Sequence, residues 1–170
     1  MTRPLTRFLA LFLITLAPLV ATAEPLPAPD GPVVLTVTGA ITETNAEGAA
    51  LFDLEMLRAL GAAEIATDTI WTPRTHRFTG VRLSALLERV GATGTRLSAT
   101  AINDYSVEIP VSDARADGPI VAYEMDGTVM SRRDKGPLWV IYPFSSSAAY
   151  RTEVIYARSI WQLDRMTVLD

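Results

Sequence analysis

Residues 78–87 of the chain are Phe-Thr-Gly-Val-Arg-Leu-Ser-Ala-Leu-Leu, and this stretch decides the fold. It opens with an aromatic residue and a glycine, and it continues into apolar residues at helical spacing. Positions i, i+3, i+4 and i+7 of that pattern are Leu83, Leu86, Leu87 and Val90. Such spacing places the four side chains on one face of a helix. Gly91 follows where the helix should end.

Upstream of this stretch, the sequence predicts two strands and a second helix. Residues 33–38 alternate in a period of two, which is typical of a strand with one buried face. Asp53 stands at an N-cap position, leucines follow at helical spacing, and Gly61 ends the pattern. Residues 64–71 are rich in Ile and Thr and predict a strand, whereas residues 72–77 predict a polar loop.

Downstream, the sequence predicts only strands and turns. The short β-type runs are residues 97–102, 105–109, 120–125, 138–142 and 165–169. Asp126-Gly127 predicts a hairpin, because a type I′ turn needs positive φ at both central residues. Since short strands outnumber helices, we expect an α+β domain with mixed or antiparallel sheets and a few short helices.

Four segments resemble, in order, the molybdopterin-binding domains of the sulfite oxidase family. They are residues 78–87, Asn-Asp-Tyr-Ser-Val-Glu-Ile-Pro at 103–110, Ala-Tyr-Glu-Met-Asp-Gly at 122–127, and Lys-Gly-Pro-Leu-Trp-Val-Ile-Tyr-Pro at 135–143. The resemblance covers about residues 33–168. It implies a sulfite oxidase-like fold and, for a typical member, molybdopterin-dependent oxidoreductase activity.

The chain departs from that family at the metal. It contains no cysteine, whereas the family binds molybdenum through a cysteine thiolate upstream of the aromatic-glycine motif. The corresponding residues 66–71 offer no soft ligand. The basic segment that binds the pterin phosphate in the family corresponds here to residues 150–156, where Arg151 is the only cation. We therefore expect the fold without a bound cofactor, and we assign no catalytic residue.

The N-terminus predicts a cleaved signal peptide over residues 1–23. Arg3 and Arg7 precede a 13-residue apolar run at 8–20, and Ala21-Thr22-Ala23 supplies the small residues of a cleavage site. The alternative is a membrane anchor, but a spanning helix needs roughly 20 apolar residues. The two arginines are not adjacent, so a Sec-type rather than a twin-arginine signal is predicted. We expect an exported, periplasmic protein that is not an integral membrane protein after cleavage.

The mature portion predicts one domain. Residues 24–32 carry four prolines and predict an extended tether, and residues 33–170 form the domain. Without Arg3 and Arg7, 13 basic residues face 19 acidic ones, so the net charge moves from -4 to -6. An acidic chain without a basic stripe is not expected to bind nucleic acid.

Arg74, His76 and Arg77 form the first candidate ligand-binding group. Arginine offers a bidentate fork to a carboxylate or phosphate, and the sole histidine is a titratable donor. The three side chains therefore predict an anion site in a loop before Gly80. The alternative is an ordinary solvated loop.

Arg132, Arg133 and Lys135 form the second candidate group, with Asp134 between them. In the related fold the corresponding loop approaches the pocket, so this group could meet Arg74 across it. The alternative is a solvated connection that keeps an edge strand from pairing.

Asn103, Asp104 and Tyr105 form the third candidate group. Their side chains could donate and accept hydrogen bonds to a polar ligand. Turn formation alone explains Asn-Asp equally well. The three tryptophans, Trp71, Trp139 and Trp161, predict core packing, with Trp71 as the alternative cleft residue.

Neither a metal site nor a nucleophile is predicted. With one histidine and no cysteine, the sequence has no zinc or calcium spacing and no glycine elbow around its serines. The leading hypothesis is a binding module without redox catalysis, whose partner is a small anionic ligand or a periplasmic or membrane protein. The alternative is a molybdopterin-dependent oxidoreductase that uses non-cysteine ligation or a ligand from a partner chain.

Overall fold

The computed structural model describes residues 25–170, which form a ten-stranded sheet and three short helices. The predicted signal peptide lies outside these residues. The strands are β1 (Leu35–Gly39), β2 (Ala49–Phe52), β3 (Ala62–Thr69), β4 (Thr72–Arg82), β5 (Arg96–Ala101), β6 (Ser106–Pro110), β7 (Ile120–Met125), β8 (Thr128–Val129), β9 (Leu138–Ile141) and β10 (Trp161–Leu169). The helices are α1 (Leu54–Ala59), α2 (Leu83–Arg89) and α3 (Glu153–Arg158).

Seven strands lie side by side in the order β2-β1-β10-β9-β7-β4-β3. Strand β5 pairs with β10 and β6, and β8 pairs with β7. The β1–β10 pair is parallel, and the other pairs of these strands are antiparallel. The predicted α+β class with mixed pairing is confirmed.

Strand β9 is buried on both faces. Leu138 and Val140 belong to the larger apolar cluster, which also receives the buried leucines of α1 and α2. Trp139 and Ile141 belong to a second cluster on the opposite face. Continuous burial explains why β9 shows no alternation in its sequence, since a strand covered on both sides needs apolar residues throughout.

Three local predictions are confirmed. Asp53 caps α1, and its Oδ1 atom accepts a hydrogen bond of 2.8 Å from the Met56 N–H. Helix α2 occupies the predicted leucine-rich segment. Asp126 and Gly127 have φ angles of 51° and 77° in the turn between β7 and β8, as the type I′ signature requires.

Two local predictions are wrong. Residues 72–77, predicted as a polar loop, are the first half of β4, which pairs with β3 in a long hairpin. His76 is buried there while Arg77 faces solvent. Because both residues are polar, the sequence does not show the alternation of buried and exposed positions that is typical of a strand. Helix α3 was not predicted, because it buries no residue and therefore lacks an apolar stripe.

The described part of the predicted tether lies against the domain. Residues 25–32 form no helix or strand. Leu26 is buried in the larger cluster, and Asp53 Oδ2 accepts hydrogen bonds from the N–H groups of Asp30 (2.9 Å) and Gly31 (2.8 Å). Within residues 25–170, no helix is both long and apolar enough to cross a membrane.

Candidate functional site

A cleft of about 410 Å³ opens where two turns meet α3 and the start of β10. The first turn joins β3 to β4, and the second joins β5 to β6. The residues that line the cleft are Trp71, Ala101, Asn103, Tyr105, Tyr156, Ala157, Ser159, Ile160, Trp161 and Gln162. None of these side chains carries a formal charge, and four of them are aromatic.

The aromatic side chains of the cleft stand nearly at right angles to one another. The Trp71 ring centre lies 5.4 Å from that of Trp161 at an interplanar angle of 74°, and 5.9 Å from that of Tyr156 at 84°. Trp139 supports Trp71 from the core at 5.9 Å. Such edge-to-face pairs fix the orientation of each ring. The cleft therefore has rigid walls that present both ring faces and ring edges.

Several hydrogen-bonding groups on residues that line the cleft have no partner inside residues 25–170. They are the indole N–H groups of Trp71 and Trp161, the hydroxyls of Tyr105 and Tyr156, and the amide nitrogen of Asn103. By contrast, the Trp139 indole N–H donates to the Ser159 carbonyl at 3.0 Å. Because tryptophan and tyrosine usually find a partner when they are buried, these free groups indicate a surface that meets solvent or a ligand.

The backbone around the cleft is strained at three positions that are not glycine. Asp104, Lys135 and Gln162 have φ angles of 65°, 70° and 52°. Hydrogen bonds hold Gln162 in place: its N–H donates to the Lys135 carbonyl, and its carbonyl accepts from the Ile102 N–H, both at 2.9 Å. Positive φ in residues with a Cβ costs free energy and is concentrated at functional sites. The strain thus marks the same region as the free polar groups.

The first predicted group, Arg74, His76 and Arg77, surrounds a carboxylate. Asp126 Oδ2 lies 3.0 Å from Arg74 Nη2 and 2.8 Å from His76 Nδ1, and Asp126 Oδ1 accepts from the Arg77 N–H at 3.0 Å. The Arg77 guanidinium bonds to Glu64 at 2.8 Å. The Arg77 N–H and then His76 hold the pKa of Asp126 below its usual value. The side chains predicted to bind an external anion thus already have acidic partners.

The second predicted group, Arg132, Arg133 and Lys135, does not line the cleft, but two of its members contact lining residues. The Arg132 carbonyl accepts from Gln162 Nε2 at 2.7 Å, and Lys135 Nζ lies 4.4 Å from the Trp161 ring centre. Within the described residues, no hydrogen bond or ion pair joins this group to Arg74, His76 or Arg77. The two groups therefore do not form one cationic site by direct contact.

The third predicted group contributes directly to the cleft. Asn103 and Tyr105 line it, and Asn103 Oδ1 accepts from the Tyr105 N–H at 3.2 Å. Asp104 instead forms an ion pair of 2.6 Å with Arg165. The turn considered for Asn-Asp is thus formed, and Asn103 and Tyr105 also line the cleft, where ligand binding stays a prediction.

Sequence reasoning missed Tyr156, Gln162 and the cleft-facing role of Trp161. Tyr156 lies on α3, the helix without an apolar stripe. Trp161 was predicted to pack in the core. The only available signal was local: an aromatic residue followed by a polar one at the start of β10, where the strained Gln162 turns the chain.

A second cavity, of about 750 Å³, is charged and is a weaker candidate. Its acidic and basic side chains already contact other groups. Asp113 accepts from the Tyr142 hydroxyl at 2.7 Å and lies 2.9 Å from Arg158, and Arg115 donates to the Tyr150 hydroxyl at 2.8 Å. Because these groups satisfy one another, the cavity offers few free contacts to a ligand.

The residues around the cleft do not fit a molybdopterin cofactor. The chain has no thiolate, and residues 25–170 contain no group of three metal-binding side chains. Asp68, the only carboxylate in residues 66–71, accepts a hydrogen bond from the Ser145 hydroxyl and pairs with Arg151. No cation lines the cleft to receive the pterin phosphate. Neither end of the cofactor would therefore meet its usual protein ligands.

Comparison with known proteins identifies the fold. The profile of a family described as "Oxidoreductase molybdopterin binding domain" matches residues 57–152. The crystal structure of the sulfane dehydrogenase SoxCD from Paracoccus pantotrophus is similar with a TM-score of 0.57 and 17% sequence identity. That similarity covers 80% of this chain but 38% of the other, so the chain spans little more than a third of that protein. No curated protein sequence matches.

The family match covers more than half of the chain and includes all four segments that carried the sequence resemblance. The structural match adds the mixed sheet. The chain belongs to the oxidoreductase molybdopterin-binding domain family, and its fold is that of a sulfite oxidase-like molybdopterin domain.

Proposed function

We propose that this protein is an exported binding domain without redox catalysis, and that the cleft beside Trp71 and Trp161 holds a small molecule. One observation carries the proposal: the cleft has rigid aromatic walls with unpaired hydrogen-bonding groups, yet it lacks both a thiolate and a phosphate-binding cation. Concave, mostly apolar sites with a few convergent polar groups are typical of ligand pockets.

The cleft supports a neutral ligand better than the anionic ligand expected from the sequence. Arg74 and Arg77, predicted as anion ligands, are paired with Asp126 and Glu64. The second ligand that we propose for this domain is a protein partner. Ile70, beside Trp71, is 61% exposed and would lie at such an interface.

A molybdopterin-dependent oxidoreductase is the alternative, and the family match over residues 57–152 favours it. In that case the metal would need a non-cysteine ligand or a ligand from a partner chain. The two proposals differ in what the purified protein contains.

The experiment is a native mass spectrum of protein purified from its own compartment, combined with molybdenum analysis and pterin fluorescence of the denatured sample. We expect no stoichiometric molybdenum or pterin. The same spectrum tests export, because cleavage of residues 1–23 would leave Glu24 as the first residue. About one molybdenum atom per chain would refute the binding-domain proposal and support the oxidoreductase.

A cleft-filling variant links any bound mass to the site. Ala157 is exposed and lines the cleft, so Ala157→Phe should remove a copurifying small molecule by occupying its space. Ala149 is also exposed but lines the second cavity, so Ala149→Phe is the matched control. Retention of the ligand by Ala157→Phe would place its site elsewhere.

A further inference from the structure

We propose that the cleft takes an uncharged, electron-poor ring with hydrogen-bond acceptors on its edge and an apolar substituent, the chemistry of a quinone. This inference rests on the proposed function, because it requires a binding site free of molybdopterin. It is built from the charge of the cleft, its free polar groups, its aromatic surfaces and its rim.

The charge of the cleft selects a neutral ligand. No acidic, basic or histidine side chain lines it. Asp104, between the lining residues Asn103 and Tyr105 in sequence, is already paired with Arg165 at 2.6 Å. A charged ligand would lose its hydration on entering the cleft and would find no opposite charge there. That desolvation is costly. A neutral ring avoids this cost.

The free polar groups select hydrogen-bond acceptors. The indole N–H groups of Trp71 and Trp161 can only donate, and the free amide nitrogen of Asn103 also donates. Lys135 lies on Trp161 at 4.4 Å without lining the cleft, and its positive charge strengthens the Trp161 N–H as a donor. Carbonyl oxygens on a ring edge would satisfy these donors.

The aromatic surfaces select an electron-poor ring. Indole and phenol rings carry negative charge on their faces and positive charge at their edges. Because Trp71 stands at 74° to Trp161 and 84° to Tyr156, a flat ligand stacks on one face and meets the edge of a neighbour. A ring depleted of electrons by two carbonyl groups is attracted to such a face.

The rim of the cleft fits an apolar substituent. Residues 25–170 expose five large apolar side chains. Tyr105, 57% exposed, lines the cleft, and Ile70 (61%) and Val154 (57%) are close in sequence to lining residues. Ile70 precedes the lining residue Trp71, and Val154 lies on α3, the helix that also carries the lining residues Tyr156 and Ala157. An alkyl chain leaving the ring would cover this rim rather than enter water.

The test is a calorimetric titration of the purified protein with 1,4-naphthoquinone. Naphthalene keeps the rings and removes the acceptors, and 1,4-naphthoquinone-2-sulfonate keeps the acceptors and adds a negative charge. Since each neutral hydrogen bond contributes about 1 kcal/mol and a buried unpaired charge costs more, each analogue should bind at least about 5-fold more weakly. The chain has no cysteine, so thiol addition cannot consume the quinone.

Variants locate the site. Tyr105→Ala should weaken naphthoquinone binding at least about 5-fold by removing an aromatic contact, while the exposed position of Tyr105 preserves the fold. Tyr150, which lines the second cavity, supplies the matched control Tyr150→Ala, and naphthoquinone binding to this variant should match the wild type. Trp71→Phe keeps a ring and removes the donor, so it should lose affinity for naphthoquinone but not for naphthalene.

Three outcomes overturn the ring class: no naphthoquinone binding, equal binding of naphthalene, or tighter binding of the sulfonate. The last would restore an anionic ligand. None of them refutes the proposed function, which is tested separately by the molybdenum and pterin content of the purified protein and by the Ala157→Phe variant.

Discussion

The ammonium group of Lys135 lies 4.4 Å from the centre of the Trp161 ring and 5.3 Å from that of Trp139. Lys135 is the only lysine in the sequence. Its contact joins the turn after β8 to the tryptophan cluster that supports the cleft. A cation over an indole face is attracted by the ring quadrupole.

Lys135→Met should therefore lower the free energy of unfolding by about 1 kcal/mol, because the methylene stem is kept and the charge is lost. Lys135→Arg keeps the cation and should stay within about 0.5 kcal/mol of the wild type. Urea unfolding followed by tryptophan fluorescence measures both. Equal stability of the Met variant and the wild type would show that the cation–ring contact contributes nothing.

Gly80→Ala should destabilise the protein by about 3 kcal/mol through overpacking. A Cβ at Gly80 would lie 2.3 Å from the Val121 carbonyl oxygen and 2.5 Å from Ala122 Cα, where β4 crosses β7. Gly48→Ala is the control, since its Cβ meets nothing within 4 Å and only its positive φ opposes the change. A Gly80→Ala midpoint in urea no lower than that of Gly48→Ala would contradict the close approach.

Asp53 should give the protein a pH-dependent stability. Hydrogen bonds from the Met56 and Gly31 N–H groups hold the pKa of Asp53 below its usual value. The stabilisation is therefore complete above the unfolded pKa of about 3.9 and is lost as pH falls through the lower folded pKa. The difference in unfolding free energy between wild type and Asp53→Asn should be constant from about pH 7 to 5 and shrink below about pH 4.

The control for Asp53 is Asp30→Asn, because the Asp30 side chain makes no hydrogen bond or ion pair within residues 25–170. Thermal unfolding scans over this pH range measure both variants. A wild-type advantage over Asp53→Asn that grows on acidification would reverse the expected sign.

Tyr142 should resist ionisation in the folded protein. Burial, and then the hydrogen bond to Asp113, raises the pKa of Tyr142 above its usual value. Its stabilising contribution is present below the unfolded pKa of about 10 and is lost as pH rises. Absorbance at 295 nm should show Tyr142 ionising only with alkaline unfolding. Tyr142→Phe should reduce that abrupt step, and an unchanged step would contradict the prediction.

Much of the fold was predictable because its signals are local. The cap at Asp53, the leucines of α2 and the Asp126-Gly127 turn each depend on residues within a few positions of one another. The extended state of residues 72–77 depends instead on pairing with β3, including His76 opposite Thr67. The strand propensity of residues 72–77 alone does not identify β3 as their partner.

The cleft was predictable only in part. Asn103 and Tyr105 were candidates because their residue types form hydrogen bonds, and they do line it. The Arg74 group was chosen for its charge, but Asp126, more than 45 residues away in sequence, pairs with it in the fold. Long-range pairing also brings Trp161 beside Trp71. Charged and aromatic residues can be counted in a sequence. The distant residues that pair with them in the fold cannot be identified in the same way.

Strand β10 is the most C-terminal strand described, yet it occupies an interior position of the sheet between β1 and β9. Until those residues are available, an emerging chain leaves β1, β5 and β9 without their β10 partner and its larger apolar cluster without Leu163, Met166 and Val168. Native compaction must therefore await the synthesis or translocation of β10. A chain secreted in the unfolded state would profit from this delay, since premature collapse would obstruct its passage.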